Sequence, residues 1–153
     1  MKIKNCVLTL LLVAGLIGVV GCGEFYPSEK TTGGGWFTDN LTGHKITFGF
    51  NAQPTDNGEA KGKFQLVDSA DKTRIHGTFS ITHNVTDNET VALFQGTCSI
   101  NGSGEYDLYF AFLDLGEPGV AAGDNITVAV NTTQLIIYSG FLERGNIKIH
   151  PEK

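Results

Sequence analysis

The sequence predicts an all-β protein, a single antiparallel meander of about eight strands forming a small barrel or sandwich. Three observations carry this reading. From Trp36 onward the apolar residues recur with period two, and helical spacing is scarce. Clusters of Asn, Gly, Asp and Ser interrupt that pattern at intervals short enough for hairpins. Ten phenylalanines among 153 residues, mostly at strand positions, supply the bulk to fill a small interior.

The elements follow in order. In His44 to Phe50, the apolar Ile46, Phe48 and Phe50 point one way. Asn51 to Glu59, with Asn57-Gly58 inside it, suits a hairpin connection. Phe64 and Leu66 alternate in the next strand, which Asp68 to Asp71 closes. A third strand, Thr73 to Thr82, puts Ile75, Phe79 and Ile81 on one face, and Gly77 among them marks a bulge, a bend or a close backbone approach. Asn84 to Asn88 turns the chain into a strand with Ala92, Phe94, Cys98 and Ile100 on one face. Asn101-Gly102-Ser103-Gly104 returns it tightly into Tyr106 to Leu113, where Tyr106, Leu108, Phe110 and Phe112 share a side. Leu115 to Asp124 is a longer break. Three short strands follow, Ile126 to Val130, Leu135 to Leu142 and Ile147 to Ile149, the last two joined at Gly145-Asn146. At the start, Gly33 to Gly35 let the chain pass close to the sheet while Trp36 plugs one end of the core.

Ahead of the β-region stands a segment of another kind. Lys2 and Lys4 form a positive start, and Val7 to Val20 carries no charge. This run is shorter than the roughly 18 to 20 residues that span a bilayer core, and it has the anatomy of a signal peptide. Its end, Val19-Val20-Gly21-Cys22, resembles the lipobox of bacterial lipoproteins. The resemblance implies cleavage before Cys22 and a diacylglycerol thioether on that residue. The expected organisation is a lipoprotein signal peptide over 1–21, a lipid-anchored tether over 22–35 and a β-domain over 36–153. Acyl chains contribute about 0.8 kcal/mol per buried methylene, so two or three of them hold a protein stably at a membrane. The expected partner is therefore the membrane, and the expected location is the cell envelope, on its periplasmic or extracellular face.

Charge and cysteine content narrow the function. Loss of residues 1–21 removes two lysines and no acid, which takes the formal charge from −5 to −7. No basic patch with interleaved aromatics stands out, which excludes nucleic acid as a partner. Cys6 leaves with the leader and Cys22 carries lipid, so Cys98 is left without a disulfide partner. Its place on an apolar strand face, with no Cys/His signature around it, makes it a small buried residue.

Six segments in order, Gly33 to Phe37, Ile46 to Ala52, Gly96-Thr97 with Asn101 to Gly104, Asp114 to Gly119, Gly140 to Leu142 and Gly145 to His150, together resemble the post-COAP type β-domain of bacterial and archaeal surface proteins. The resemblance implies an extracellular accessory domain without established catalysis. Here it stands alone behind a lipid anchor.

Candidate chemistry is sparse. Asp114, Glu117 and Asp124 surround the Gly-Pro loop, and carboxylates with loop carbonyls match the oxygen ligands of Ca²⁺; a solvated turn is the other reading. No other cofactor is expected. His44, His76, His83 and His150 fall at separate strand ends or faces, with no pair at metal-ligand spacing. Asn40, Asn84, Asn88, Asn101, Asn125 and Asn131 head Asn-x-Ser/Thr triplets and mark loops. The expected function is a non-catalytic envelope module for binding, adhesion or structure, its partner an envelope polymer or a surface protein. Two alternatives stand beside it. One is a carbohydrate hydrolase using Asp114 with Glu117 or Asp68 with Asp71. The other is a lipocalin-like carrier, which needs an open interior.

Overall fold

The computed structural model describes residues 30–55, 59–84 and 91–150. The leader, Cys22, the tether as far as residue 29, Asn57-Gly58 and the turn through Asn88 lie outside the described residues. Eight antiparallel strands run in chain order around a closed barrel: β1 (Thr31–Thr38), β2 (Lys45–Pro54), β3 (Ala60–Asp68), β4 (Thr73–Asn84), β5 (Val91–Ile100), β6 (Ser103–Leu113), β7 (Asn125–Asn131) and β8 (Leu135–Ile149). A single turn of helix, α1 (Gly119–Ala122), interrupts the β6–β7 connection. The up-and-down meander expected from short connections is the observed topology, and of barrel and sandwich it is the barrel.

Alternation dictates the interior. Phe37, Phe48, Phe50, Phe64, Phe79, Phe94, Phe110 and Phe112 are all buried, with Ile, Leu and Val of the other strands closing around them. The Phe110 ring lies 4.3 Å from Phe64, 4.3 Å from Phe112 and 5.8 Å from Phe79, centroid to centroid, and Phe50 stacks on Phe112 at 3.8 Å. Rings from β2 to β6 thus meet across the barrel, as an eight-stranded cylinder filled by its own side chains requires. These rings occupy the part of the interior that the carrier reading needs open. The outward positions of β2 to β4 are mostly polar, for example Asn51, Lys63, Gln65 and Thr78, whereas those of β5 to β8 include Leu93, Tyr109, Ala111, Ile137 and the exposed Phe141.

Several sequence expectations change. The β-domain starts at Thr31, five residues before Trp36, because the glycine run expected as tether is the first strand. Gly33 faces inward against the Phe50 ring, where a Cβ would overlap it, so glycine here makes room for an aromatic ring and signals no flexibility. Trp36 does not plug the core. It lies on the outer face with the Lys45 ammonium 4.2 Å above its ring, and Phe37 is the buried neighbour. Ile81 leaves the inner face because the β4–β5 register shifts between Phe79 and Ile81, and it is 39% exposed. Gly77 marks a close approach, to Leu108 and the Thr97 carbonyl. Asn84, Asn125 and Asn131 lie in strands, and Asn125 is buried, so the triplets do not all mark loops.

The largest correction concerns the end of the chain. Leu135 to Ile149 is one strand of 15 residues, and Gly145-Asn146 lies within it instead of turning it. Its first half pairs with β7, from Leu135 opposite Asn131 to Phe141 opposite Asn125. Its second half pairs with β1, from Leu142 opposite Phe37 to Ile149 opposite Thr31, across a bulge at Glu143. Gly145 adopts φ 109° and faces the Gly34 carbonyl so closely that a Cβ would collide with it. The β1–β8 seam therefore closes only on glycine.

Gly145→Ala is expected to lower the unfolding free energy by about 3 kcal/mol or more, from the left-handed backbone and the collision together. Gly49→Ala, where an added Cβ meets no atom within 4 Å, is expected to be neutral or to stabilise by about 0.5 kcal/mol. Denaturant titrations of the two variants check this, and equal losses at both positions would refute the steric account.

Candidate functional site

Two of the loop acids expected to hold calcium, Asp114 and Asp124, accept hydrogen bonds from amides of β8. The second half of β8 has β1 on one side, while β7 stops short on the other. The β6–β7 connection covers that open edge. The Leu142 amide donates to the Asp124 carbonyl at 2.9 Å. The Ile147 amide donates to Asp124 Oδ2 at 3.0 Å, and the Ile149 amide donates to Asp114 Oδ2 at 2.9 Å. Each carboxylate also accepts within the loop, Asp124 Oδ1 from the Leu115 amide and Asp114 Oδ1 from the Gly116 amide. Asn146 ties the crossing, its Oδ1 accepting from the Gly119 amide and its Nδ2 donating to Glu117, which also meets Lys148 at 3.2 Å. Burial pushes the Asp124 carboxyl above the ordinary range, with Asp114 and Glu117 adding to this, against the lowering from its two N–H donors. Asn146 and Lys148 hold Glu117 below its ordinary range. Asp114, Glu117 and Asp124 do not form a cluster of mutually close ligand atoms; Oδ2 of Asp114 and of Asp124 each takes the place of a carbonyl from an absent strand, while Glu117 bonds the side chains of Asn146 and Lys148.

The opposite end of the barrel has a matching device that sequence reasoning missed. Asp39 is buried in the β1–β2 turn; its Oδ1 accepts from the Ser139 amide at 2.9 Å, and its Oδ2 accepts from the Thr42 amide and hydroxyl. Its signal was an Asp three residues before Thr42 at a strand end, an arrangement that the turn chemistry of Asp permits.

Nearby, His44 Nδ1 lies 2.9 Å from Asp68 Oδ2 and 3.8 Å from Asp71 Oδ2, and among the described residues these three are the His/Cys/Asp/Glu group with ligand atoms within 4.8 Å of one another. Its chemistry is that of a hydrogen-bonded turn. Asp68 is fully buried, and its Oδ1 accepts from the Ala70 and Asp71 amides, so its second oxygen alone faces the imidazole. The bond to Asp68 raises the His44 pKa, against the opposing effect of burial. At Asp68 burial works to raise the pKa, but His44 and the two amides outweigh it and the net shift is downward. The two aspartates proposed as a hydrolytic pair are thus unlike, one buried in the turn and one exposed. Cys98 is buried, and its thiol is pushed up to about 11, first by burial and then by Asp107, which fits a packing role. His150 bonds Thr32 at 2.9 Å at the far end of the barrel, and His76 lies on the outer wall.

A different surface is shallowly concave. On the outside of β2 to β5 a depression of about 750 Å³ opens across four strands. Register places its side chains in two rows. One is Gly49, Gln65, His76 and Ser99; the other is Asn51, Lys63, Thr78 and Thr97. Gly104 and Glu105 of β6 also line it. Asn51 is held in place, its Oδ1 accepting from the Lys63 amide at 2.9 Å. No short motif announces such a surface; only the outward half of each strand, read across neighbours, can.

Comparison of the chain with protein-family models, with characterised proteins and with solved structures finds no match.

Two outcomes test these assignments. Asp124→Asn turns one acceptor into a donor facing an amide, and it is expected to cost about 1–3 kcal/mol and to speed hydrogen exchange at Ile147. The His44–Asp68 pair works within a pH window. His44 has a raised native pKa, so its contribution is complete below the ordinary 6.5 and is lost as pH rises through the native value. Asp68 has a lowered native pKa, so its contribution is complete above 3.8 and is lost as pH falls through the native value. Melting temperature is expected to peak between these limits, and His44→Gln is expected to flatten the alkaline side of the profile.

Proposed function

We propose that the chain is a lipid-anchored protein of the cell envelope whose β-domain is a non-catalytic binding module. The observation that carries this is the apolar leader ending at Val19-Val20-Gly21-Cys22, after which the sequence turns polar and glycine-rich. Two features of the barrel support the binding part. Its interior is filled by rings and leaves the outer wall as the surface for recognition, and that wall carries a polar depression. Among the described residues Asp68, Asp114 and Asp124 accept hydrogen bonds from backbone amides, an arrangement that serves turns and strand edges better than acid–base chemistry. The resemblance to post-COAP type β-domains belongs to the same reading, that of an accessory domain displayed outside the cytoplasm. Among the described residues no helix is long and apolar enough to cross a membrane; in this reading the attachment is lipid on Cys22.

Metabolic labelling with a palmitate analogue in a bacterial host is expected to mark the chain and to place it in the membrane fraction. Cys22→Ala is expected to abolish both. Labelling retained in that variant would refute the anchor.

A further inference from the structure

We infer that the depression on the β2–β5 wall is the recognition site of the β-domain and that it takes a neutral polysaccharide chain. This rests on the binding-module reading and names its ligand class. The first observation is Gly49. Inward glycines of this barrel make room for neighbours, as Gly33 does for the Phe50 ring and Gly140 for the Phe37 ring. Gly49 points outward, and so does its cross-strand partner Gly34. An added Cβ would meet nothing within 4 Å at Gly49 and only ordinary contacts, from 3.5 Å, at Gly34. Glycine inside a strand is less favourable than Ala, so the fold by itself favours side chains here. A bare backbone at such a place is what close approach of a ligand needs.

The second observation is the chemistry of the walls. Asn51, Gln65, Thr78, Thr97 and Ser99 offer amides and hydroxyls, while Lys63 and Glu105 carry opposite charges. No exposed aromatic or large aliphatic side chain lines the depression, so it lacks the anchors that fix protein partners. The closed barrel offers no unpaired strand edge along this wall for an extended peptide to extend. An acidic polymer would meet a net negative chain. The ligand that fits is one built of uncharged hydroxyls, with sugar rings lying on the bare Gly49 backbone and their hydroxyls paired to the two rows. Four strands at a spacing of about 4.8 Å make a trough of about 14 Å, a length suited to several linked sugars.

The test is affinity electrophoresis and titration calorimetry of the full chain with a soluble β-glucan, an α-glucan, a mannan and a xylan, with polygalacturonate and heparin as acidic controls. At least one neutral polymer is expected to bind and the acidic ones not. Gln65→Ala and Gly49→Val are expected to weaken that binding at least tenfold without lowering the melting temperature, while Thr133→Ala in the β7–β8 turn leaves binding unaltered. Binding that survives both wall variants, or that is confined to the acidic polymers, overturns the inference. If isolated envelope material retains the chain while no neutral polymer does, the sugar assignment falls and the binding module stands; if neither retains it, both fall.

Discussion

The barrel depends on how β8 satisfies its backbone. A strand buried in a closed cylinder needs partners on both sides along its whole length, because an unpaired amide away from water costs free energy comparable to a lost hydrogen bond. β8 has 15 residues, yet β7 serves only its first half and β1 only its second. Carboxylates complete both gaps. Asp39 serves Ser139 on the side where β1 has ended, and Asp124 and Asp114 serve Ile147 and Ile149 on the side where β7 has ended. An aspartate in a connection reaches an amide that no strand can reach, and it does so with a stronger bond than a carbonyl makes. The cost is burial of charge, evident in the raised pKa of Asp124.

That arrangement explains why the fold was more legible than the site. Alternation of Phe48 with Phe50, and of Phe110 with Phe112, is a period-two signal that survives any register, so strand identity and the filled interior could be read directly. The count of eight was reached through two offsetting differences. Gly33 to Gly35 looked like tether because glycine usually means freedom, whereas here one glycine is the space that the Phe50 ring occupies. Gly145-Asn146 looked like a turn for the same reason, whereas it lies within a continuous strand at the seam. Both differences have one cause. Glycine required by a neighbour's bulk and glycine required by a turn are identical in sequence, and only the cross-strand partner separates them.

The acids follow the same logic. Asp114, Glu117 and Asp124 form a carboxylate-rich loop, a pattern shared by calcium loops and by loops that cap backbone amides. What decides between them is which donors lie within about 3 Å, and the donors from β8 stand 23 and 35 positions away in sequence. His44 and Asp68, 24 positions apart, likewise meet only because β2 and β3 pair. The outer-wall rows are less visible still, since Gln65, His76 and Ser99 form a line only after three registers are known.

The two places where the backbone joins the barrel lie side by side, with the His150 amide 2.9 Å from the Lys30 carbonyl and its ring bonded to Thr32. Whatever is attached through either terminus therefore leaves from one pole, while the turns around Asn40, Ser69, Asn101 and Thr133 gather at the other. Adjacent termini also make the cylinder a portable unit, able to be permuted or set into a loop of another protein without stretching its ends. The hydrogen bonds that close the seam serve as the clasp for that mode of attachment.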